Sequence, residues 1–161
     1  MKSFLFAIFL IASYALPVSV KAENTTELQT FPAPRPSATP CWTAETLKAE
    51  QLYGAWRARF TNPPAGFPAE ATVQLKQHEE FSESLAGVVS REKRKAELAG
   101  DLQDGLLLLD ESSDSVSITG TWNGELVKAS CGTVFKGVWK DTSNSAAANA
   151  PDVPFTLTRR P

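Results

Sequence analysis

The sequence predicts an all-β fold: a closed antiparallel up-and-down meander barrel of about eight strands, preceded by a short N-terminal helix. Three observations predict it. An apolar–x–Gly–x–apolar pattern occurs at Leu52–Gly54–Trp56 and returns at Leu85–Gly87–Val89, Leu98–Gly100–Leu102, Ile118–Gly120–Trp122 and Phe135–Gly137–Trp139. Residues two apart share one face of a strand, so each copy sets its glycine among inward apolar side chains, where a neighbouring backbone can approach or the strand can bend. From Gly54 onward, hydrophobicity alternates in short runs between turn residues, with no convincing helical period among them. Finally, these runs offer a single apolar face and no second layer to cover it, and a sheet so built buries that face most economically by closing on itself.

Before the barrel, residues 1–22 read as a signal peptide. Lys2 gives a positive start, Phe4 to Leu16 is an apolar run too short to span a bilayer comfortably, and Val20-Lys21-Ala22 precedes a cut after Ala22. An uncleaved anchor is the alternative. Residues 23–40 form a flexible Pro-rich segment, because Phe31 to Pro40 alternates proline with small residues and resists helix. The barrel domain with its leading helix is assigned to residues 41–161. Thr43 caps that helix, Glu45 favours its positive end, and Gly54 stops it.

The strands follow in order. Residues 54–60 alternate, with Trp56, Ala58 and Phe60 on one face and Arg57 and Arg59 on the other. A loop rich in Pro and Gly at 62–68 leads to a second strand at 71–81, with Val73 and Leu75 inward, and a third at 84–91. Residues 92–95 make a charged tip and 96–103 run back. Asp104-Gly105 is a two-residue hairpin signal, followed by a short apolar strand at 106–109. Residues 110–114 read as the next polar tip, after which Val116, Ile118, Gly120 and Trp122 share a face. Asn123-Gly124 is a second hairpin signal. Residues 125–140 fit either one long strand or two strands turning at Cys131-Gly132. A loop at 141–152 precedes the last strand, 153–159.

At 161 residues the chain has room for one domain, or two very small ones, and with a formal net charge of −2 and no basic stripe, nucleic acid is an unsuitable partner. Its two cysteines, Cys41 and Cys131, favour one disulfide in an oxidising compartment, with two free thiols as the alternative. A bridge there would contribute roughly 4–5 kcal/mol on the chain-entropy account.

A short helix leading into Gly54-Ala55-Trp56, with Arg159 on the last strand, resembles the calycin superfamily of lipocalins, fatty-acid-binding proteins and avidins. The resemblance implies that Trp56 lies under Arg159 and closes one end of the barrel, with Gly54 beside them; the alternative is a plain core tryptophan and a solvated arginine. The length from Leu52 onward, the recurring glycines and the Phe-Thr-Leu-Thr-Arg strand after Trp139 are similar to an avidin barrel. The resemblance stops where biotin would bind. Avidin-type sites carry Asn and Ser after the first tryptophan and a Tyr on the third strand, whereas Arg57, Arg59 and Val88 or Val89 stand here.

For chemistry, the single histidine, His78, falls on the outward parity beside Glu80, and a catalytic triad needs a base held beside a nucleophile. The acidic pairs Asp101/Asp104 and Asp110/Asp114 read as solvated hairpin tips. No enzyme activity, cofactor or metal is expected. Trp122, Phe135, Trp139, Val89 and Leu102 point inward and are the candidate ligand-binding residues, unless those rings simply fill the core. The expected function is that of a secreted, periplasmic if bacterial, non-enzymatic binding protein holding a small, largely apolar molecule and having no membrane span after signal cleavage. The alternative is a periplasmic protein-binding module, an inhibitor or immunity-type partner of a cell-envelope enzyme.

Overall fold

The computed structural model describes residues 40–143 and 151–161. The signal peptide and nearly all of the Pro-rich segment lie outside the described residues, as does most of the 141–152 loop.

Eight strands form one closed antiparallel barrel in chain order: β1 (Gly54–Phe60), β2 (Glu70–Gln77), β3 (Leu85–Arg91), β4 (Arg94–Gln103), β5 (Leu106–Ser112), β6 (Gly120–Leu126), β7 (Val134–Asp141) and β8 (Val153–Arg159). Each strand pairs with the next, and β1 pairs with β8, setting Trp56 opposite Arg159 and Phe60 opposite Phe155. The meander barrel read from the alternation is the observed fold, and it has the shape of a calycin barrel. Among the described residues no helix is long and apolar enough to cross a membrane.

Alternation accounts for the core. Trp56 and Ala58 of β1, Val73 and Leu75 of β2, Leu85 and Val89 of β3, and Leu107 and Leu109 of β5 are all buried, while their neighbours in sequence face out. Two of the recurring glycines do the steric task their pattern suggests. A Cβ on Gly100 would run into the carbonyl of Leu108, and one on Gly137 into the carbonyl of Asn123. At those points a neighbouring strand occupies the space a side chain would need, which is how a tightly curved sheet accommodates its bend.

One end of the barrel is closed by the segment preceding β1. The expected helix from Thr43 is a turn at residues 43–47, where Leu47 N–H donates to the Thr43 carbonyl at 2.9 Å, followed by a single 3₁₀ turn, Ala49–Leu52. Gln51 Oε1 accepts the Lys48 N–H at 2.7 Å and so satisfies an orphan donor at the start of that turn. Leu47 and Leu52 are buried against the barrel. Cys41 and Cys131 form a disulfide across a separation of 90 residues and fasten this segment to the β6–β7 turn.

Four boundaries test or depart from the alternation. Asp104-Gly105 does make the β4–β5 hairpin, with both residues at positive φ (48° and 79°). Asn123-Gly124, the second such dipeptide, lies in the middle of β6 instead: Gly124 faces inward, 3.1 Å in projected Cβ distance from the Phe155 ring, and pairs with Gly137. The chain reverses later, at residues 127–133, through Ala129 and Cys131 at φ 60° and 53° and Gly132 at 81°. Residues 125–140 are therefore two strand segments turning around Cys131-Gly132.

The other two boundaries concern the tip after β5. That strand continues to Ser112 rather than stopping at Leu109, so Glu111 is a barrel residue and not part of a polar tip. Val116 and Ile118 do not share the inner face with Gly120 and Trp122; they are 87% and 50% exposed. The cause is Asp114, whose Oδ1 accepts the N–H groups of Ser117 at 2.7 Å and Val116 at 2.9 Å and folds residues 113–119 into a loop.

Those bonds hold the Asp114 carboxyl down at about 2 from an ordinary 3.8, the Ser117 N–H contributing most and the Val116 N–H next. A depressed carboxylate stabilises the fold above its unfolded value and loses that contribution as pH falls through its folded value. The loop is thus expected to hold fully above pH 3.8 and to loosen as the pH falls toward about 2. An NMR titration of the Asp114 carboxyl together with the Ser117 amide would check this; a midpoint near 4 would show that the loop is not formed in solution.

Candidate functional site

The end of the barrel opposite the 3₁₀ turn is its mouth, and two charged residues occupy inward positions there. Arg91 ends β3 in the parity of Leu85, Gly87 and Val89, and Glu111 continues β5 in the parity of Leu107 and Leu109. Strand periodicity directs both side chains inward, where a lone charge would be costly. They meet as a bidentate pair, Nη1 to Oε1 at 2.5 Å and Nη2 to Oε2 at 2.6 Å, with side chains 11% and 7% exposed. Glu111 Oε2 also accepts the indole N–H of Trp122 at 3.0 Å and of Trp139 at 3.1 Å. Both tryptophans thereby satisfy their only polar side-chain atom inside the barrel.

Aromatic rings surround the guanidinium. Its carbon lies 5.3 Å from the ring centres of Trp122 and Trp139, 5.5 Å from Phe67 and 5.8 Å from Phe60. Each is within the reach of a cation–π attraction. The rings also pack on one another, Phe67 against Trp139 at 4.7 Å and against Phe60 at 4.8 Å. Gly120 makes room for this: a Cβ there would come within 2.6 Å of the Trp139 indole nitrogen, the atom that reaches Glu111. Phe67 arrives from the loop between β1 and β2 and covers the pair from outside.

A recess of about 230 Å³ opens at this mouth, lined by Phe67, Trp139, Arg91, Glu111, Arg94 and Lys95 among others. Among the described residues, the buried Arg91 Nε has no hydrogen-bond partner. The buried charged groups of this arrangement neutralise each other, and the rings pack around them.

The candidate residues from the sequence divide between regions. Trp122 and Trp139 are brought together on Glu111, and Val89 is buried two positions before Arg91 on β3. Phe135 lies elsewhere, its ring 5.8 Å from that of Trp56. Leu102 is half-buried and lines a separate surface recess with Lys48, Tyr53 and Ser82. Arg91, Glu111 and Phe67 are not among the sequence candidates. Parity is the available signal for the first two, since each continues an inward-facing row of apolar residues with a charge.

At the closed end the contacts implied by the calycin resemblance are present. Arg159 stacks with its guanidinium carbon 5.8 Å from the Trp56 ring centre and donates to the carbonyls of Gln51 and Tyr53, the latter at 3.0 Å. Trp56 Nε1 donates to the Leu52 carbonyl at 2.7 Å. Gly54, at φ 122°, starts β1 beside them in a conformation that a side chain would strain. His78 holds a turn: its Nδ1 accepts the N–H groups of Glu80 and Phe81 at 3.2 and 3.3 Å. Among the described residues no group of His, Cys, Asp and Glu is arranged to hold a metal ion. No protein-family profile and no curated protein matches this chain.

Proposed function

We propose that this is a secreted, non-enzymatic binding protein that holds a small, largely apolar molecule at the mouth of its barrel. The observation that carries the reading is the recess at the mouth, about 230 Å³ in volume, beside the packed rings of Phe67 and Trp139 and lined also by Arg91 and Glu111. Aromatic surface of Phe67 and Trp139 set among fixed charged and polar groups gives a small molecule both a contact face and orienting partners. The mouth takes over this role from the deeper interior, because Trp122 and Phe135 fill that interior at 1% and 0% exposure. Secretion is supported by the apolar leader read from the sequence and by the disulfide, which suits an oxidising compartment.

Native mass spectrometry of the protein purified from its own host tests the reading. A co-purifying small mass, released on denaturation, is expected. A bare chain that binds no small molecule at the mouth would defeat it.

A protein-binding role is the second reading, favoured by the exposed Val116 and Ile118, which overhang a groove of about 470 Å³ on the outer face of β2–β5. In the same experiment, a stoichiometric protein partner would point there.

A further inference from the structure

The groove on the outer face of β2–β5 carries the second reading, a protein-binding role, and the inference here rests on that reading. Register sets its floor. Lys76, Ala86, Ala99 and Asp110 stand opposite one another across four successive strands, and Val88 faces Glu97 in the next row. The two alanines keep the middle of the row low, between longer side chains at either end. Val116 and Ile118 overhang this floor, and the space between sheet and loop is a trough of about 470 Å³.

The loop holds its two apolar side chains out by construction. Asp114 Oδ1 accepts the Val116 and Ser117 N–H groups, and the Thr142 hydroxyl donates to the Ile118 carbonyl at 3.0 Å. These bonds fix the backbone on both sides of Ser117 while Val116 and Ile118 stay exposed. Apolar side chains set in place over an apolar floor are poorly matched to water and well matched to a partner, because little ordering remains to be done on binding.

The charges select the partner. Lys76 is the only lysine or arginine of the lining, and its Nζ lies 3.0 Å from Glu79 Oε1. His78 commits its Nδ1 to the N–H groups of its own turn. Of the lining carboxylates, Glu111 is engaged inside the barrel by Arg91. Glu97 and Asp110 remain, and among the described residues neither takes part in an ion pair. Ala99 lies between them, next but one to Glu97 along β4 and opposite Asp110 on β5. This end of the trough therefore favours a cation with apolar neighbours and repels an acidic chain. From Lys76 to Asp110 there are three strand spacings, about 14 Å, the reach of about four extended residues.

We propose that the trough takes an extended basic segment of a partner protein: a lysine or arginine over Ala99, between Glu97 and Asp110, with adjoining apolar side chains packed under Val116 and Ile118. The mouth takes no part in this contact.

The test uses the full disulfide-bonded protein and NMR. The amide signals of Ala86, Val88 and Ala99 and the methyl signals of Val116 and Ile118 report the trough, and the Trp139 indole N–H reports the mouth. The probe is a capped pentapeptide, leucine-lysine-leucine-arginine-leucine. Its controls carry glutamate for both basic residues, or serine for the three leucines. The basic peptide is expected to shift the trough signals saturably and leave the indole unmoved, with each control binding at least about tenfold more weakly. Glu97→Gln with Asp110→Asn, both at exposed positions, is expected to weaken the basic peptide about fivefold and flatten its salt dependence. Val116→Ser with Ile118→Ser should weaken it about tenfold. A glutamate peptide that binds as tightly as the basic one would overturn the charge inference and leave the trough as a protein-binding surface. Trough signals unmoved by every peptide up to about 10 mM would overturn both. Pentylamine binding as tightly as the pentapeptide would make the trough a small-molecule site and defeat the peptide. Trough signals that shift with protein concentration alone would give the face to a second copy of the chain, with the same consequence.

Discussion

Glu111→Ala is expected to cost about 3–5 kcal/mol of folding stability, the usual penalty for leaving one partner of a buried ion pair alone. Three groups lose their acceptor at once: the Arg91 guanidinium and the indole N–H groups of Trp122 and Trp139. With the Arg91 side chain only 11% exposed, water can restore little of what is lost. Arg91→Ala should be comparably damaging, since it leaves a carboxylate among rings. The pair itself is a different matter. Desolvating two charges takes back much of their attraction, so Arg91→Met with Glu111→Leu should recover most of the stability, though the two indole N–H groups would still lack an acceptor. Urea midpoints for the two single variants and the double variant check this. Single variants within about 1 kcal/mol of the parent would mean that the mouth is hydrated and the pair is a surface one.

Removing the disulfide is the second large effect. Cys41→Ser with Cys131→Ser is expected to destabilise the protein by roughly 4–5 kcal/mol on the loop-entropy account, for a bridge spanning 90 residues. The loss has two structural outlets. The segment carrying Leu47 and Leu52 loses its covalent hold on the barrel end that it covers, and the turn at residues 127–133 loses the clamp on Ala129 and Cys131, both at positive φ. Chemical denaturation of the double variant, or of the parent with and without reductant, gives the figure. A shift below about 1 kcal/mol would show that packing of Leu47 and Leu52 alone holds that end shut.

The strands are legible because period-2 alternation survives wherever one face is buried, and β1, β3 and β8 match their sequence bounds to within a residue or so. Turn chemistry is less dependable. The same Asx-Gly signal makes a hairpin at Asp104-Gly105 and continues a strand at Asn123-Gly124. The difference is tertiary: Gly124 is placed where the Phe155 ring and the opposing Gly137 need the space. The loop at residues 113–119 is not legible, because one side-chain carboxylate, Asp114, overrides the apolar parity of Val116 and Ile118.

The site is legible in part. Inward parity finds Trp122 and Trp139 but not the charges they serve. Glu111 sits in a run, Asp110 to Asp114, whose composition reads as a solvated tip, and Arg91 precedes Glu92 to Lys95, which reads the same way. Only the counting of faces, carried two residues past the last apolar side chain, places each of them inside. The two strands are not neighbours, since β4 lies between them, so nothing local in the sequence pairs Arg91 with Glu111.

The seam between β1 and β8 joins the first strand of the domain to the last. Contacts so distant along the chain form slowly, because the whole intervening loop must be ordered or closed before they return any energy. Until that seam zips, both terminal strands present bare hydrogen-bonding edges, the template on which sheets of different molecules join. The covalent link from Cys41 to Cys131 bypasses most of the chain between those edges. An oxidised chain therefore searches a far smaller space for its last contact, and its unpaired edges are exposed for less time. The bridge is in this sense a guard against misassembly during folding as much as a brace of the finished barrel.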